Sequence, residues 1–90
     1  MTRPRFALGR LVATSNALTQ VSHADIFNAL QRHLAGNWGL VDDEDRNANN
    51  LALTQGTRLV SAYDAANGTR FWIITEWDRS ATTVLLPEDY

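Results

Sequence analysis

The chain has 90 residues, which is enough for one small domain over 1–90. Apolar residues make up 44% of it and charged residues 20%, a composition typical of globular proteins. The absence of cysteine excludes disulfides, thiolate zinc sites and a cysteine nucleophile. No apolar run approaches the roughly 20 residues of a membrane span, and the first residues lack the apolar stretch of a signal peptide, so we expect a cytoplasmic protein.

The charge is slightly acidic and unevenly distributed. A net charge of −2 argues against direct nucleic-acid binding, because phosphate contacts need a basic surface. Residues 1–24 carry three arginines and no acid, whereas residues 25–50 carry five acids against two arginines. All eight basic residues are arginine. Two explanations stay open, namely the codon bias of a high-GC genome and selection for forked recognition of carboxylate or phosphate.

The first predicted element is a strand over 5–14, which is apolar and β-branched towards its end. Gly9 within this segment predicts a bulge or a close approach of two backbones. A turn signal at Ser15 and Asn16 follows, and residues 17–21 are long enough for one helical turn.

A helix is predicted over 23–35. Ser22 and Asp25 resemble a capping box with aspartate in place of glutamate. Phe27, Leu30 and Leu34 then recur at helical spacing, and Gly36 stands where a left-handed residue ends helices.

A second helix is predicted from Asp42 to Gly56, after a tight connector that contains Trp38. Asp42 is the predicted N-cap, and the acids behind it complement the positive end of the helix dipole. These first-turn acids are Asp43, Glu44 and Asp45. The apolar face of this helix is thin, so we expect it to pack on one side only.

The last third of the chain has the pattern of three strands, over 57–63, 70–77 and 82–86. In the first of them Leu59, Ser61 and Tyr63 share one face. The second is apolar on both faces and is therefore predicted to be central, and Pro87 ends the third. The predicted fold is α+β, in the order β-α-α-β-β-β, with two helices packed on one face of a four-stranded, mainly antiparallel sheet.

One group of polar residues suggests catalysis. His33, Arg58 and Glu76 supply the acid, base and phosphate-binding groups that a metal-independent ribonuclease needs. Asp78 and Arg79 stand beside them at a strand end. The alternative interpretation places His33 at the helix C-terminus as a favourable cation and assigns no chemistry to the group.

The acidic run offers a second candidate site. A calcium loop needs alternating oxygen ligands and a glycine at its sixth position, and Asp42, Asp43, Glu44 and Asp45 lack both. Helix capping explains these acids, and imitation of a phosphate backbone for a protein partner remains open. We predict no metal and no cofactor.

Three tryptophans in 90 residues indicate an aromatic patch. Trp72 and Trp77 lie five apart on one predicted strand and therefore on opposite faces, so one of them must leave the helix-covered face. Together with Trp38 in the connector, they are the predicted aromatic part of a protein-binding surface. The alternative, which the sequence leaves open, is that Trp77 covers the edge of the core.

A set of residues spread over nearly all of the chain carries a resemblance to a known family. These residues are 6–14, 17–18, His33, Gly36, Trp38, Gly39, Asp45, Asn49, Gly56, Arg58, Leu59, Ser61, Tyr63, 68–69, 72–76, 78–83 and 85–87. In them the sequence resembles a family of small bacterial and plasmid proteins, often called plasmid-related proteins and sometimes labelled type I restriction endonuclease subunit M. The family usually has aspartate where this chain has Asn37, so a catalytic role of that carboxylate would be impaired here.

The resemblance implies a mobile-element setting. A DNA methylase subunit needs a cofactor-binding sheet several times this size, so the restriction label does not describe the activity. Small proteins of that setting often act on host defence, by binding a CRISPR effector or a restriction complex, or serve plasmid maintenance. The element order also resembles ribosome-dependent toxin ribonucleases, whose basic surface is missing here.

We therefore expect a non-enzymatic protein-interaction module, with inhibition of a nucleic-acid-directed defence complex as its role. Its binding surface is expected at Trp38, at the acidic cap of the second helix (Asp42, Asp43, Glu44 and Asp45) and on the sheet face around Trp72 or Trp77. The alternative is a small metal-independent ribonuclease or toxin. A homodimer formed through the apolar outer faces of two sheets is a third expectation.

Overall fold

The computed structural model describes residues 4–90 and has the α+β class expected from the sequence. Arg3, one arginine of the basic N-terminal segment, lies outside the described residues. The elements follow in the order β1 (Arg10–Ala13), α1 (Ser15–Gln20), α2 (His23–Leu34), α3 (Asp43–Gln55), β2 (Leu59–Asp64), β3 (Arg70–Thr75) and β4 (Ala81–Leu85). A short 3-10 turn, Pro87–Asp89, closes the chain.

The four strands form one mixed sheet in the order β1-β4-β3-β2. β3 is antiparallel to both neighbours and lies inside the sheet, as its apolar sequence predicts. β1 is parallel to β4 at one edge. The prediction of a mainly antiparallel sheet with a central β3 is thus confirmed. Among the described residues, none of the helices is long and apolar enough to cross a bilayer.

The inner face of the sheet carries the main core. Tyr63, Phe71, Ile73 and Val84 are fully buried there, and they pack against apolar side chains of α1 and α2. The helical contributors are Ala17, Val21, Ile26, Ala29 and Leu30. Leu59, Ser61 and Tyr63 share this face, as their alternation predicts.

Helix boundaries follow the predicted caps. Ser22 accepts from the Asp25 N–H at 3.1 Å and begins α2, but the Asp25 carboxylate accepts from the Ala66 N–H instead of closing a capping box. α2 ends in a Schellman motif, in which the N–H of Asn37 donates to Arg32 and Gly36 has φ +83°. Asp42 caps α3 through the Asp45 N–H at 2.8 Å.

The helices differ from the prediction in number and position. Residues 4–90 contain three α-helices instead of the two predicted, because the segment after β1 forms α1 with Thr14 as its side-chain N-cap. α3 lies along the edge of β2 and not on the inner face. Its Asn49 side chain bonds both the N–H and the C=O of Val60, at 3.1 and 2.7 Å. Ala52 and Leu59 form a second small core there with Trp38.

Two glycines permit close contacts between segments. Gly9, at φ +64°, lies directly against the backbone carbonyls of Arg79 and Ser80, which confirms the predicted close approach, although β1 begins after it. Gly39, at φ +75°, leaves no room for a Cβ beside the Ala62 carbonyl and the Tyr63 ring. There the connector forms a parallel bridge with the outer edge of β2.

Candidate functional site

His33 is fully buried, and both of its ring nitrogens are hydrogen-bonded. Nδ1 lies 2.5 Å from Ser61 Oγ, and Nε2 lies 2.9 Å from Thr75 Oγ1. Thr75 Oγ1 lies 2.8 Å from Thr82 Oγ1, and the Thr82 hydroxyl donates to the Leu8 carbonyl at 2.7 Å. The rings of Phe6 and Trp38 pack edge-on against the imidazole at 5.2 and 5.6 Å.

The Leu8 carbonyl fixes the direction of this chain of hydrogen bonds. A carbonyl only accepts, so Thr82 donates to it and must accept from Thr75. Thr75 has then used its proton and accepts from Nε2–H, which leaves Nδ1 to accept from Ser61. His33 is therefore the neutral Nε2–H tautomer. Burial, with the positive charge of Arg79 second, lowers its pKa to about 4.

This geometry corrects both interpretations of His33. Because the ring is neutral and lies in the core, His33 does not act as a cation at the end of the helix. Because the ring is fully buried and both nitrogens are hydrogen-bonded, neither nitrogen is free to contact a substrate. Arg58 lies on the opposite face of the sheet, where its guanidinium donates to the Tyr90 hydroxyl at 2.9 Å. The structure therefore does not bring His33 and Arg58 together, and Glu76 follows β3 at the start of the turn to β4.

Arg79 is occupied by backbone contacts. Its guanidinium donates to the carbonyls of Ala52, Thr57 and Glu76, at 2.9, 2.6 and 3.0 Å. These bonds connect the end of α3 to the turn between β3 and β4. Arg79 also adopts φ +60° in that turn. Its guanidinium acts as a structural clamp and does not present the free fork that phosphate recognition needs.

Two of the three tryptophans predicted to form one binding surface do not lie on a common surface with Trp72. Trp38 is buried, and its indole N–H donates to Asn50 Oδ1 at 3.0 Å. Trp77 lies in the turn after β3, which ends at Thr75 and not at 77 as predicted, and its side chain is 66% exposed. The face argument from the spacing of Trp72 and Trp77 was therefore wrong for Trp77, and Trp38 is corrected to a core residue.

Trp72 does lie on the outer face of the sheet, which carries Val60, Ala62 and Ile74 and is not covered by α1 or α2. Its half-buried side chain lines two adjoining grooves of about 330 and 390 Å³. Both grooves are also lined by Asp45 and Val60. We call these two grooves together the Trp72 groove.

The acidic cap divides between the Trp72 groove and solvent. Asp42 lines one of the two grooves and Asp45 lines both, whereas Asp43 and Glu44 line neither. Asp43 pairs with Arg46 at 2.5 Å, one turn along the helix. The Asp45 carboxylate has no ion-pair partner within residues 4–90. Two of the four acids therefore lie at the Trp72 groove, and a partner-binding role of Asp42, Asp43, Glu44 and Asp45 stays a prediction.

Sequence reasoning missed Tyr90, which completes the Trp72 groove. Its ring packs edge-on against Trp72 with centroids 5.8 Å apart, and the Arg58 guanidinium lies over it at 5.7 Å. Asp89 positions it by accepting from the Thr14 hydroxyl and the Asn16 amide, both at 2.7 Å. These bonds also hold the pKa of the Asp89 carboxyl below its usual value. An aromatic residue directly after Pro87, Glu88 and Asp89 was the available signal.

Arg70 lines the larger of the two grooves, the one of about 390 Å³, and makes its rim basic. Its Nε lies 2.5 Å from Asp64 on the neighbouring strand. The hydrogen bond from Arg70 holds the pKa of the Asp64 carboxyl below its usual value. The Trp72 groove therefore has an apolar floor and aromatic and arginine side chains at its rim. It also has two carboxylates without an ion-pair partner among the described residues, namely Asp45 and the helix cap Asp42.

The described part of the chain contains no group of three or more His, Asp or Glu side chains able to hold a metal ion. No protein-family model matches the chain, and no similar curated protein or solved structure was found. The resemblance to plasmid-related proteins and the mobile-element setting therefore stay predictions.

Proposed function

We propose that this protein is a non-enzymatic interaction module that binds a protein partner through the Trp72 groove. The observation that carries the proposal is the position of Trp72, half-buried between two open grooves on a sheet face that α1 and α2 do not cover. Binding energy at protein interfaces concentrates in tryptophan, tyrosine and arginine beside apolar pockets, and Trp72, Tyr90 and Arg58 meet here.

The charges of the groove indicate the chemistry of the partner. The apolar floor of Val60 and Ile74 suits an aliphatic or aromatic side chain. Asp45 also lines the groove, has no ion-pair partner in residues 4–90 and suits a lysine or arginine of the partner. A surface rich in lysine and arginine is typical of proteins that bind nucleic acid. This chemistry agrees with a partner from a nucleic-acid-directed defence complex.

Inhibition of such a complex is the biological role that we propose. A small acidic protein that occupies a basic surface competes directly with the nucleic acid for it. The expected resemblance to mobile-element proteins supports this setting. No observation favours the ribonuclease alternative, because His33 is enclosed in the core on one side of the sheet and Arg58 lies on the other.

The binding surface can be tested with matched variants. Tagged wild-type protein is exposed to lysate from a bacterium that carries CRISPR and restriction systems, and bound proteins are identified by mass spectrometry. Trp72→Ala and Asp45→Asn should lose the specific partner. Trp77→Ala and Glu44→Gln, which replace exposed residues outside the groove, should retain it. An unchanged set of captured proteins for Trp72→Ala would contradict the proposed surface.

The proposed role needs a separate test in cells. A strain with an active CRISPR or restriction system is transformed with a targeted plasmid, with and without this protein. We expect wild-type protein and Trp77→Ala to raise transformation at least tenfold, and Trp72→Ala to have no effect. Equal transformation with and without the wild-type protein, across the systems named, would overturn the inhibitory role.

A further inference from the structure

The outer edge of β1 presents unpaired backbone groups. The N–H groups of Arg10 and Thr14 donate to Ser80 and Val84, each at 2.9 Å, and so face β4. Successive N–H groups of a strand point to opposite sides, so those of Leu11 and Ala13 point away from the sheet. No described segment of the chain pairs with this edge. The edge is therefore free to pair with another strand.

Exposed apolar side chains surround the same edge. Leu11 is 51% exposed, Val12 40%, Leu18 50% and Phe27 56%. Leu11, Leu18 and Phe27 line a groove of about 310 Å³ between β1, α1 and α2. Among the described residues that line it, His23 is the only ionisable one. We call this feature the edge groove. Its walls are otherwise apolar, and Ile26 and Leu30 form part of them.

We propose that a second copy of this chain occupies the edge groove and forms a two-fold dimer by antiparallel pairing of β1 with β1. The pairing would join two four-stranded sheets into one continuous sheet of eight. Each copy supplies both the free strand and the groove, which is the condition for a self-complementary interface. The dimer uses a sheet edge and not the outer faces that the sequence suggested.

The strand itself selects the register. Leu11 and Ala13 carry the outward N–H and C=O groups, so a full ladder places Leu11 opposite the second copy's Ala13 and Val12 opposite the second copy's Val12. This register sets a large side chain against a small one beside the edge groove. It also places Arg10 opposite the second copy's Thr14, which keeps the two arginines apart.

The four exposed side chains supply most of the apolar area that a standard interface buries. Half of a large apolar side chain is about 100 Å², so the four exposed residues offer roughly 350 Å² per copy. A standard interface buries about 800 Å² per partner, of which somewhat more than half is apolar. The backbone of β1 and the walls of the edge groove add to the four side chains.

A single introduced cysteine tests the register, because the chain contains no cysteine of its own. Residues opposite each other without hydrogen bonds have Cα atoms about 4.5 Å apart, within the range of a disulfide. Val12→Cys should therefore form a disulfide-linked dimer under mild oxidation. Thr83→Cys is the control, since Thr83 lies beside Val12 one strand further in, which places two copies of it about 14 Å apart.

Sedimentation over a range of protein concentrations tests the dimer itself. Leu11→Lys should raise the dimer dissociation constant at least tenfold, whereas Leu51→Lys, at a similarly exposed leucine on α3, should leave it unchanged. A monomer at concentrations near 1 mM would overturn the proposal. A dimer that Leu11→Lys does not weaken, or equal cross-linking of Val12→Cys and Thr83→Cys, would overturn it as well.

Discussion

The neutral side chain of His33 connects α2 to the sheet through buried hydrogen bonds. His33 lies where α2 crosses β2 and β3, and its two nitrogens bond hydroxyls on both strands. A buried polar ring is tolerated because every polar atom in the chain from Ser61 to the Leu8 carbonyl has a partner. Charging the ring would place a cation among Phe6, Trp38 and nearby Arg79, which explains the lowered pKa.

The first prediction is a loss of stability in mild acid. The pKa of His33 is about 4 in the folded protein and near 6.5 when unfolded, so the unfolded chain binds the proton first as the pH falls. The stabilisation is complete above pH 6.5 and is lost as the pH falls towards 4. Urea unfolding at one protein concentration should show a decrease in the free energy of unfolding of about 2 kcal/mol between pH 7.5 and 5.

His33→Gln and His23→Gln distinguish the two histidines of the chain. Glutamine can bond Ser61 and Thr75 without titrating, so His33→Gln should flatten the pH dependence, at some cost in stability at pH 7.5. His23 is exposed, and His23→Gln should keep the wild-type slope. Parallel slopes for wild type and His33→Gln would show that His33 is not the group responsible.

The two outer edges of the sheet differ in whether their backbone groups are hydrogen-bonded. The outer edge of β2 is closed, since Asn49 bonds Val60 while Trp38 and Leu40 bond Ala62. The outer edge of β1 is open among the described residues and carries apolar side chains. The Asn49 side chain and the backbone of the connector thus occupy the edge of β2 and prevent a second copy from pairing there, which leaves β1 as the strand available for assembly.

The second prediction concerns Asn49, which bonds both polar groups of Val60 from a nearly fully buried position. Asn49→Leu keeps the approximate size but leaves two backbone groups without partners, so the free energy of unfolding should fall by about 3 kcal/mol. Asn47→Leu, at an exposed position of the same helix, should change it by less than about 0.5 kcal/mol.

Hydrogen exchange provides a local readout for the same pair of variants. The Val60 amide proton should exchange markedly faster in Asn49→Leu than in Asn47→Leu, because its acceptor has been removed. Equal exchange and equal stability in the two variants would show that solvent satisfies this edge without Asn49.

At the scale of the whole molecule, the two proposed surfaces lie on different parts of the sheet. The Trp72 groove is formed by β2, β3, α3 and Tyr90, whereas the edge groove is formed by β1, α1 and α2 with Val84 of β4. The Trp72 groove and the edge groove have no lining residue in common. A dimer through β1 would therefore carry two Trp72 grooves, both open to partners, and could bind two partner molecules or one bivalent partner.

The third prediction follows from this separation. Trp72→Ala should abolish partner capture and leave the dimer dissociation constant unchanged, whereas Leu11→Lys should weaken the dimer and leave capture by a single groove intact. Capture and sedimentation measured on both variants test this expectation. Loss of both properties in either variant would mean that the two surfaces are coupled.

Much of the local structure could be predicted because its causes are local. Ser22 and Asp42 begin helices, Gly36 and Gly56 end them, and alternation assigns Leu59, Ser61 and Tyr63 to one face. These features depend on neighbours a few residues away, so the printed sequence contains all the information needed. The α+β class and the central position of β3 followed from the same patterns.

The site depended on contacts between distant parts of the chain. A histidine at the end of an amphipathic helix looks the same in sequence whether it faces solvent or a buried serine and a buried threonine. Only the position of α2 over β2 and β3 places His33 in the core, against Ser61 and Thr75. Tyr90 meets Trp72 because Asp89 bonds Thr14 across 75 residues of sequence. The sequence by itself determined the elements and their apolar faces. The tertiary structure alone decided which polar groups are buried and which edge stays open, because those depend on packing between segments far apart in the chain.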